Sequence, residues 1–221
     1  MAKPLDLRLN AIVDPERSGA HDPVALARLL AQGGATLVQL RDKKSDTRLM
    51  IERARAIKAA LAPLGVPFVV NYCIDVALAA RADGVHVGPD DMAPADARAL
   101  LGPDAIIGVS IKSTVAAEAA PVGVFDYAGV GGVFATLSKE QDNPPIGPEG
   151  LARIAAVLRR RAPNVPVVGI AGIDAGNAAA VIAAGANGVA VISALSLAPD
   201  PAAAARALRA VVDGMLAKRG T

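Results

Sequence analysis

The chain has 221 residues and a formal net charge of +2, from 23 basic and 21 acidic side chains, and only 2% of its residues are aromatic. A nucleic-acid partner would call for a basic surface with stacking aromatics, so we expect none. The N-terminus, Met1 to Leu5, has no apolar segment of signal-peptide length, and no run in the chain approaches 18 apolar residues. The single cysteine, Cys73, excludes an intrachain disulfide. These features predict a cytoplasmic protein without a membrane partner.

Short apolar, β-branched runs recur along the whole chain. Each is nearly continuous in apolar character, which is typical of parallel strands buried on both faces. The predicted strands are Leu9–Val13, Ala35–Leu40, Pro67–Val70, Gly84–Val87, Ala105–Val109, Asp126–Val130, Val165–Ile170 and Asn187–Ile192.

Amphipathic segments with helix-start signals separate these runs. Asp22 and Asp200 each precede a proline, which places an N-cap acceptor before the residue that begins a helix. The second predicted helix begins at Ser45 or Asp46 and runs to Leu64. The other predicted helices span Asp75–Arg81, Pro94–Leu101, Ser113–Ala120, Pro148–Arg161 and Asp174–Gly185.

This alternation predicts an α/β fold, a single (β/α)8 TIM barrel of one domain over residues 1–221, with phosphate sites at the carboxyl ends of the strands. Parallel neighbours need a crossover helix, and eight such units close into a barrel. The competing topology is an open doubly wound sheet, which would carry a glycine-rich fingerprint after the first strand. This chain has Asp14-Pro15-Glu16 there, so the barrel is favoured.

Polar residues follow the second predicted strand. Gln39, Arg41 and Lys43 alternate, so we expect their side chains to share one face at the barrel mouth. An amide and two cations suit a diphosphate, because arginine binds oxygens bidentately and lysine acts as a point charge. Arg48, Arg53 and Arg55 on the next helix we interpret as a solvated charged face.

Three further features concern the other strands. Gly169 and Gly172 after the seventh strand predict a phosphate site built from backbone N–H groups. Asp90 and Asp91 after the fourth strand are candidates for holding Mg²⁺, or for capping the next helix. His86, within the fourth strand, we interpret as an interior hydrogen-bonding or packing residue rather than a catalyst.

Four motifs in this order resemble the thiamine phosphate synthase family, and the resemblance runs from about Ile12 to the last helix. They are Val38-Gln39-Leu40-Arg41-Asp42-Lys43, Ala82-Asp83-Gly84-Val85-His86-Val87-Gly88, Gly108-Val109-Ser110 and Val168-Gly169-Ile170-Ala171-Gly172-Ile173. Any one of these motifs alone is weak evidence for the family. Their order and spacing together are specific to it.

The resemblance implies a Mg²⁺-dependent transferase that joins 4-amino-2-methyl-5-diphosphomethylpyrimidine to a thiazole phosphate, giving thiamine phosphate and pyrophosphate. It implies that Arg41, Lys43, Ser110 and Lys139 are catalytic and that Asp91 is a metal ligand. The pyrimidine diphosphate would contact Gln39, Arg41, Lys43, Asn71, Ser110 and Lys139. The thiazole phosphate would contact Thr136, Ser138, Gly172, Ile192 and Ser193.

The chain departs from the family pattern at three places, one of which is Pro89, which precedes the acidic pair where the family usually has glutamine. Tyr72 follows Asn71 where the family usually has an aspartate that is the second magnesium ligand, and two prolines are missing from Gly131-Gly132-Val133-Phe134-Ala135-Thr136. Two other functions therefore stay open: a thiazole tautomerase-like isomerase, and a non-catalytic protein that binds thiamine precursors. A homo-oligomer is compatible with the sequence.

Overall fold

The computed structural model describes residues 5–136, 138 and 144–219. Eight parallel strands follow one another in chain order and close into a barrel, with β1 paired to β8. The strands are β1 Leu9–Val13, β2 Leu37–Leu40, β3 Phe68–Asn71, β4 Gly84–Val87, β5 Ile106–Ile111, β6 Tyr127–Val130, β7 Val167–Ile170 and β8 Gly188–Val191. The predicted (β/α)8 TIM barrel is confirmed.

The helices lie between the strands and cover the barrel. They are α1 Pro23–Gln32, α2 Thr47–Leu61, α3 Ile74–Ala80, α4 Pro94–Leu101, α5 Thr114–Ala119, α6 Gly147–Arg161, α7 Ala178–Ala183, α8 Ser193–Ser196 and α9 Pro201–Arg219. Short 3-10 turns span Pro15–Arg17 and Ala62–Leu64. Within the described ranges, no helix is both long and apolar enough to span a membrane.

Capping aspartates fix several of these helix starts. The Asp22 carboxylate accepts hydrogen bonds from two N–H groups of α1, and Asp46, rather than Ser45, caps α2 through the N–H of Leu49. Such a cap supplies about 1 kcal/mol by satisfying N–H groups that have no helical partner.

Three helices differ from the prediction. α2 ends at Leu61 rather than Leu64, because Ala62–Leu64 form a 3-10 turn. Asp174 does not begin α7; its carboxylate accepts from Gly176 and Asn177 in a turn, and the helix starts four residues later, at Ala178. The short α8 between β8 and α9 was not predicted, because four residues are too few to show helical periodicity.

Apolar side chains form one layer inside the barrel and a larger one between strands and helices. Leu37, Val69, Tyr127, Val168 and Ala190 are buried in the inner layer, and the outer layer is built mainly from alanine, valine, leucine and isoleucine. Full burial of one such aliphatic side chain stabilises the fold by about 1.5–3 kcal/mol. The barrel therefore holds the eight carboxyl-terminal loops at one mouth.

Candidate active site

Gln39 forms the floor of the mouth on the β2 side. It is buried, and its Oε1 accepts a hydrogen bond of 3.0 Å from Nδ2 of Asn71, at the end of β3. β2 ends at Leu40, so Arg41 and Lys43 lie just beyond the strand rather than on its pleated face. Their neighbours in the barrel, not strand geometry, set where these two side chains point.

Arg41 is held by Asp14 from the end of β1. The two side chains form a salt bridge, with only 1% of the Asp14 side chain and 17% of the Arg41 side chain exposed. Asp14 also accepts a hydrogen bond from the N–H of Glu16. The sequence reasoning missed Asp14, although the pairing of Val13 with Leu40 brings the ends of β1 and β2 together.

Lys43 lies over the ring of Tyr72, with its Nζ atom 3.2 Å from the ring centroid. Tyr72 has a left-handed backbone, with φ of 56°, and its phenol donates a 3.1 Å hydrogen bond to the backbone oxygen of Asp42. Burial, above all, raises the pKa of Tyr72 to about 12, so the phenol is neutral at pH 7. Tyr72 thus supplies no carboxylate charge to the site.

The Asp42 carboxylate stabilises the loop that carries Lys43. It accepts hydrogen bonds from the N–H groups of Lys44 and Ser45 and forms a salt bridge with Arg53, whose side chain is 17% exposed. The interpretation of Arg53 as a solvated charge was therefore wrong, because α2 turns it back toward the loop. Burial opposes ionisation of Asp42, but these hydrogen bonds and the charge of Arg53 outweigh it and lower its pKa.

The acidic residues after β4 offer limited support for a metal ion. Asp91 is partly buried, and its Oδ2 accepts a 2.6 Å hydrogen bond from the N–H of Gly88, whereas Asp90 is exposed. Among the residues that the structure describes, no three histidine, cysteine or acidic side chains cluster as a metal site. These carboxylates fit a Mg²⁺ site of one kind, in which one or two carboxylates bind the ion together with substrate phosphate oxygens and water.

Ser110 connects the mouth to a polar network inside the barrel. Its Oγ lies 2.9 Å from Nε2 of His86, and Nδ1 of His86 lies 3.0 Å from the phenol oxygen of Tyr127. His86 is 7% exposed and Tyr127 is fully buried. The prediction that His86 is an interior hydrogen-bonding or packing residue is confirmed, whereas its partner Tyr127 was not predicted.

The residues predicted for the thiazole phosphate lie on the opposite side of the barrel, after β6, β7 and β8. The hydroxyl oxygens of Ser138 and Ser193 are in direct hydrogen-bond contact, which joins the loop after β6 to the start of α8. Thr136 accepts a 3.1 Å hydrogen bond from the N–H of Ser138, and Ile192 directly precedes α8. Lys139 falls outside the described residues.

Gly172 lies where the loops after β6 and β7 meet. Its φ is +64°, and a Cβ atom there would stand 2.3 Å from the backbone oxygen of Ala135. Hydrogen bonds from Phe134 to the oxygen of Ala171, and from the Asn177 side chain to the oxygen of Gly172, hold the loop in place. Only glycine meets both conditions without displacing the neighbouring loop.

A cleft of about 860 Å³ opens at the other end of the barrel, where the strands begin. Two of its lining residues are Arg159 and Arg219, and both donate to backbone oxygens, Arg159 to Gly185 and Arg219 to Ile182 and Ala186. These guanidinium groups cap carbonyls between helices and strands. Function in this fold resides at the carboxyl ends of the strands, so we place the active site at the mouth.

The chain is similar to known proteins over nearly its whole length. The family model described as thiamine monophosphate synthase matches residues 9–195. The thiamine-phosphate synthase of Agrobacterium fabrum is 48% identical over 97% of this chain and 98% of its own length, and that of Xanthobacter autotrophicus is 47% identical over 96% and 98%.

A solved structure supports the same grouping. Thiamine phosphate pyrophosphorylase from Pyrococcus furiosus superposes with a TM-score of 0.84 at 37% identity, over 96% of this chain and 98% of that one. The matched segment includes every strand from β1 to β8. The chain belongs to the thiamine monophosphate synthase family.

Proposed function

We propose that this protein is a transferase of thiamine biosynthesis that joins 4-amino-2-methyl-5-diphosphomethylpyrimidine to 4-methyl-5-(2-phosphoethyl)thiazole, giving thiamine phosphate and pyrophosphate. The observation that carries the proposal is the pairing of two polar groups of residues across one barrel mouth. Gln39 lies near the end of β2 and Arg41 and Lys43 follow it, and Ser138 and Ser193 meet on the opposite side, after β6 and β8. Each group suits one anionic substrate.

The diphosphate group of the pyrimidine would bind between Arg41, Lys43, Asn71, Ser110 and Lys139, with Gln39 beneath it. The bond between the methylene carbon and the diphosphate oxygen breaks, and the electron pair leaves with pyrophosphate. The cationic methylene carbon is then attacked by the thiazole nitrogen, and a carbon–nitrogen bond forms. Fixed cations and a hydroxyl donor stabilise the charge that develops on the leaving group.

The thiazole phosphate would bind at Thr136, Ser138, Gly172, Ile192 and Ser193. Holding the two substrates in one mouth converts a bimolecular reaction into an effectively unimolecular one. No step needs a covalent enzyme nucleophile, so the side chains only bind, orient and stabilise charge.

Magnesium would be held by Asp91, with Asp90 close by in the same turn, and by oxygens of the bound diphosphate. When bound, it supplies positive charge to the leaving pyrophosphate. What supports this assignment is the position of Asp91 at the mouth, close enough to Tyr72 for its charge to raise the pKa of that phenol. We also propose that the chain acts as one domain in the cytoplasm, on small phosphorylated substrates, and is able to form a homo-oligomer.

Product analysis with single omissions separates this function from the two alternatives. The synthase forms thiamine phosphate only when both substrates and Mg²⁺ are present. A tautomerase would change the thiazole phosphate alone, without the pyrimidine, and a binding protein would leave both substrates unchanged. The intact set Gln39, Arg41 and Lys43 favours the synthase, because a tautomerase has no diphosphate to bind.

A further inference from the structure

The interior of the barrel holds a polar network that the reaction described above does not use. Tyr127, fully buried, and His86 lie side by side within the barrel, with ring centroids 5.4 Å apart. A Cβ atom at Gly108, which is paired with Tyr127 on the neighbouring strand β5, would stand 2.2 Å from Cζ of Tyr127. The absence of a side chain at Gly108 therefore makes room for this ring. Space that aliphatic side chains would fill elsewhere in the barrel is occupied here by hydrogen-bonding groups.

The direction of the hydrogen bonds in this network follows from its inner end. The side chain of Asn10 forms a hydrogen bond with the phenol of Tyr127, while its Oδ1 is buried and has no hydrogen-bond partner within the described part of the chain. The amide nitrogen of Asn10 is therefore the donor and the phenol oxygen the acceptor, so the proton of Tyr127 does not go to Asn10. Nδ1 of His86, 3.0 Å away, is then the acceptor for that proton. A buried hydroxyl that failed to donate would lose the hydrogen bond that offsets its desolvation.

The outer end of the network follows from the chemistry of imidazole. A neutral imidazole carries one proton, so acceptance at Nδ1 places the proton on Nε2. Nε2 therefore donates to Oγ of Ser110 over 2.9 Å. The hydroxyl proton of Ser110 is left to point away from His86, toward the mouth. With the opposite tautomer, Ser110 would donate inward and present only lone pairs to an anion.

We propose that Tyr127 and His86 are positioning residues that fix the direction of the hydrogen bond at Ser110, so that this hydroxyl donates to the departing diphosphate. This inference rests on the proposed function. Phosphate oxygens only accept hydrogen bonds, so a serine held as a donor favours a diphosphate, whereas a serine held as an acceptor repels it. Tyr127 and His86 act through Ser110 and touch no substrate.

The tautomer of His86 is measured directly by nitrogen NMR on the full chain labelled with ¹⁵N-histidine. The chain has two histidines, His21 and His86. The signals that disappear in the His86→Gln variant therefore belong to His86. At pH 8, above the ordinary histidine pKa of about 6.5, we expect the His86 proton on Nε2 in the parent protein. In Tyr127→Phe, where no hydroxyl donates to Nδ1, we expect the proton mainly on Nδ1, with Nε2 accepting the hydrogen bond from Ser110. A proton on Nδ1 in the parent would overturn the proposal without any variant.

A double-mutant cycle tests whether the network acts through Ser110. Tyr127→Phe is expected to lower turnover about 10- to 100-fold, the loss typical of a charge-assisted hydrogen bond, with little change in the KM for the thiazole phosphate. In a Ser110→Ala background the same change should add almost nothing. Fully additive losses would contradict the proposal, because a purely structural role of Tyr127 is independent of Ser110.

Binding of inorganic pyrophosphate with Mg²⁺ keeps the test independent of the overall reaction. We expect Tyr127→Phe to weaken this binding about tenfold in the parent background and to leave it unchanged in Ser110→Ala. If the parent forms no thiamine phosphate, the proposed function fails, yet the tautomer and the pyrophosphate affinity still decide this inference. Equal pyrophosphate affinity for the parent and Tyr127→Phe would overturn it.

Discussion

Arg41 and Asp14 form one unit at the ends of β1 and β2, because each neutralises the other in a largely buried position. Arg41→Ala is expected to lower turnover about 10²- to 10³-fold, as for loss of one preorganised donor. It should also destabilise the fold by about 3 kcal/mol, since it leaves the Asp14 carboxylate buried without a partner. Steady-state kinetics and urea unfolding measure the two effects.

A matched double variant separates these two effects. Adding Asp14→Asn to Arg41→Ala removes the buried charge, so stability should recover while turnover stays low.

Lys139→Ala is expected to reduce turnover by about the same factor as Arg41→Ala. An unchanged turnover number in Arg41→Ala or Lys139→Ala, with both substrates saturating, would remove that residue from the catalytic set.

We expect Tyr72 to determine how strongly the free protein binds Mg²⁺. The neutral phenol leaves Asp91 as the main carboxylate at this place, so Mg²⁺ should bind weakly alone and better with the pyrimidine diphosphate present. Tyr72→Asp should lower the Mg²⁺ concentration for half-maximal activity, and Asp91→Ala should raise it. Calorimetric titration of Mg²⁺ into each variant, with and without inorganic pyrophosphate, gives a readout independent of turnover. Overlapping titrations of the parent and Asp91→Ala would contradict this assignment.

The loop between β2 and α2 depends on Asp42 for its conformation. The lowered pKa of this carboxyl means that its ionised form stabilises the fold above the ordinary value of about 3.9, and that this contribution is lost as pH falls through the lowered folded value. Asp42→Asn should therefore reduce the unfolding free energy by about 1–3 kcal/mol at pH 7. The difference in unfolding free energy between the parent and Asp42→Asn should become smaller below about pH 4.

Asp46→Asn is the control on the same loop, because asparagine also caps a helix well and Asp46 is exposed. Urea unfolding of the parent and both variants across this pH range makes the comparison. If the difference in unfolding free energy between the parent and Asp42→Asn stays constant down to acidic pH, the carboxylate charge has no part in stabilising the loop.

The loops after β6, β7 and β8 are expected to select a phosphorylated thiazole. The catalytic efficiency with the unphosphorylated alcohol should be about 10- to 100-fold lower, because charge-assisted hydrogen bonds to the phosphate would be missing. Gly172→Ala should reduce this preference, since a Cβ atom at φ +64° and 2.3 Å from the oxygen of Ala135 displaces the loop. Equal efficiency for phosphate and alcohol in the parent would place the phosphate site elsewhere.

At the scale of the whole molecule, periodicity predicted the barrel because each strand and each long helix carries its own local signal. The predicted start of α7 was wrong because an aspartate accepts the same backbone hydrogen bonds in a turn as at the beginning of a helix, and Asp174 lies in a turn. Asp14, Arg53 and Tyr127 were missed for a different reason. Their partners are 27, 11 and 41 residues away. The turn from the loop into α2 brings Arg53 to Asp42, and the arrangement of strands in the barrel brings Asp14 to Arg41 and Tyr127 to His86.

The central claim is that one barrel mouth joins a pyrimidine diphosphate to a thiazole phosphate. Thiamine phosphate and released pyrophosphate, quantified together in one reaction of the purified protein with both substrates and Mg²⁺, test it most directly. We expect the two products to accumulate in equal amounts and neither to form when either substrate is left out. Pyrophosphate released without thiamine phosphate, or no product at all, would contradict it.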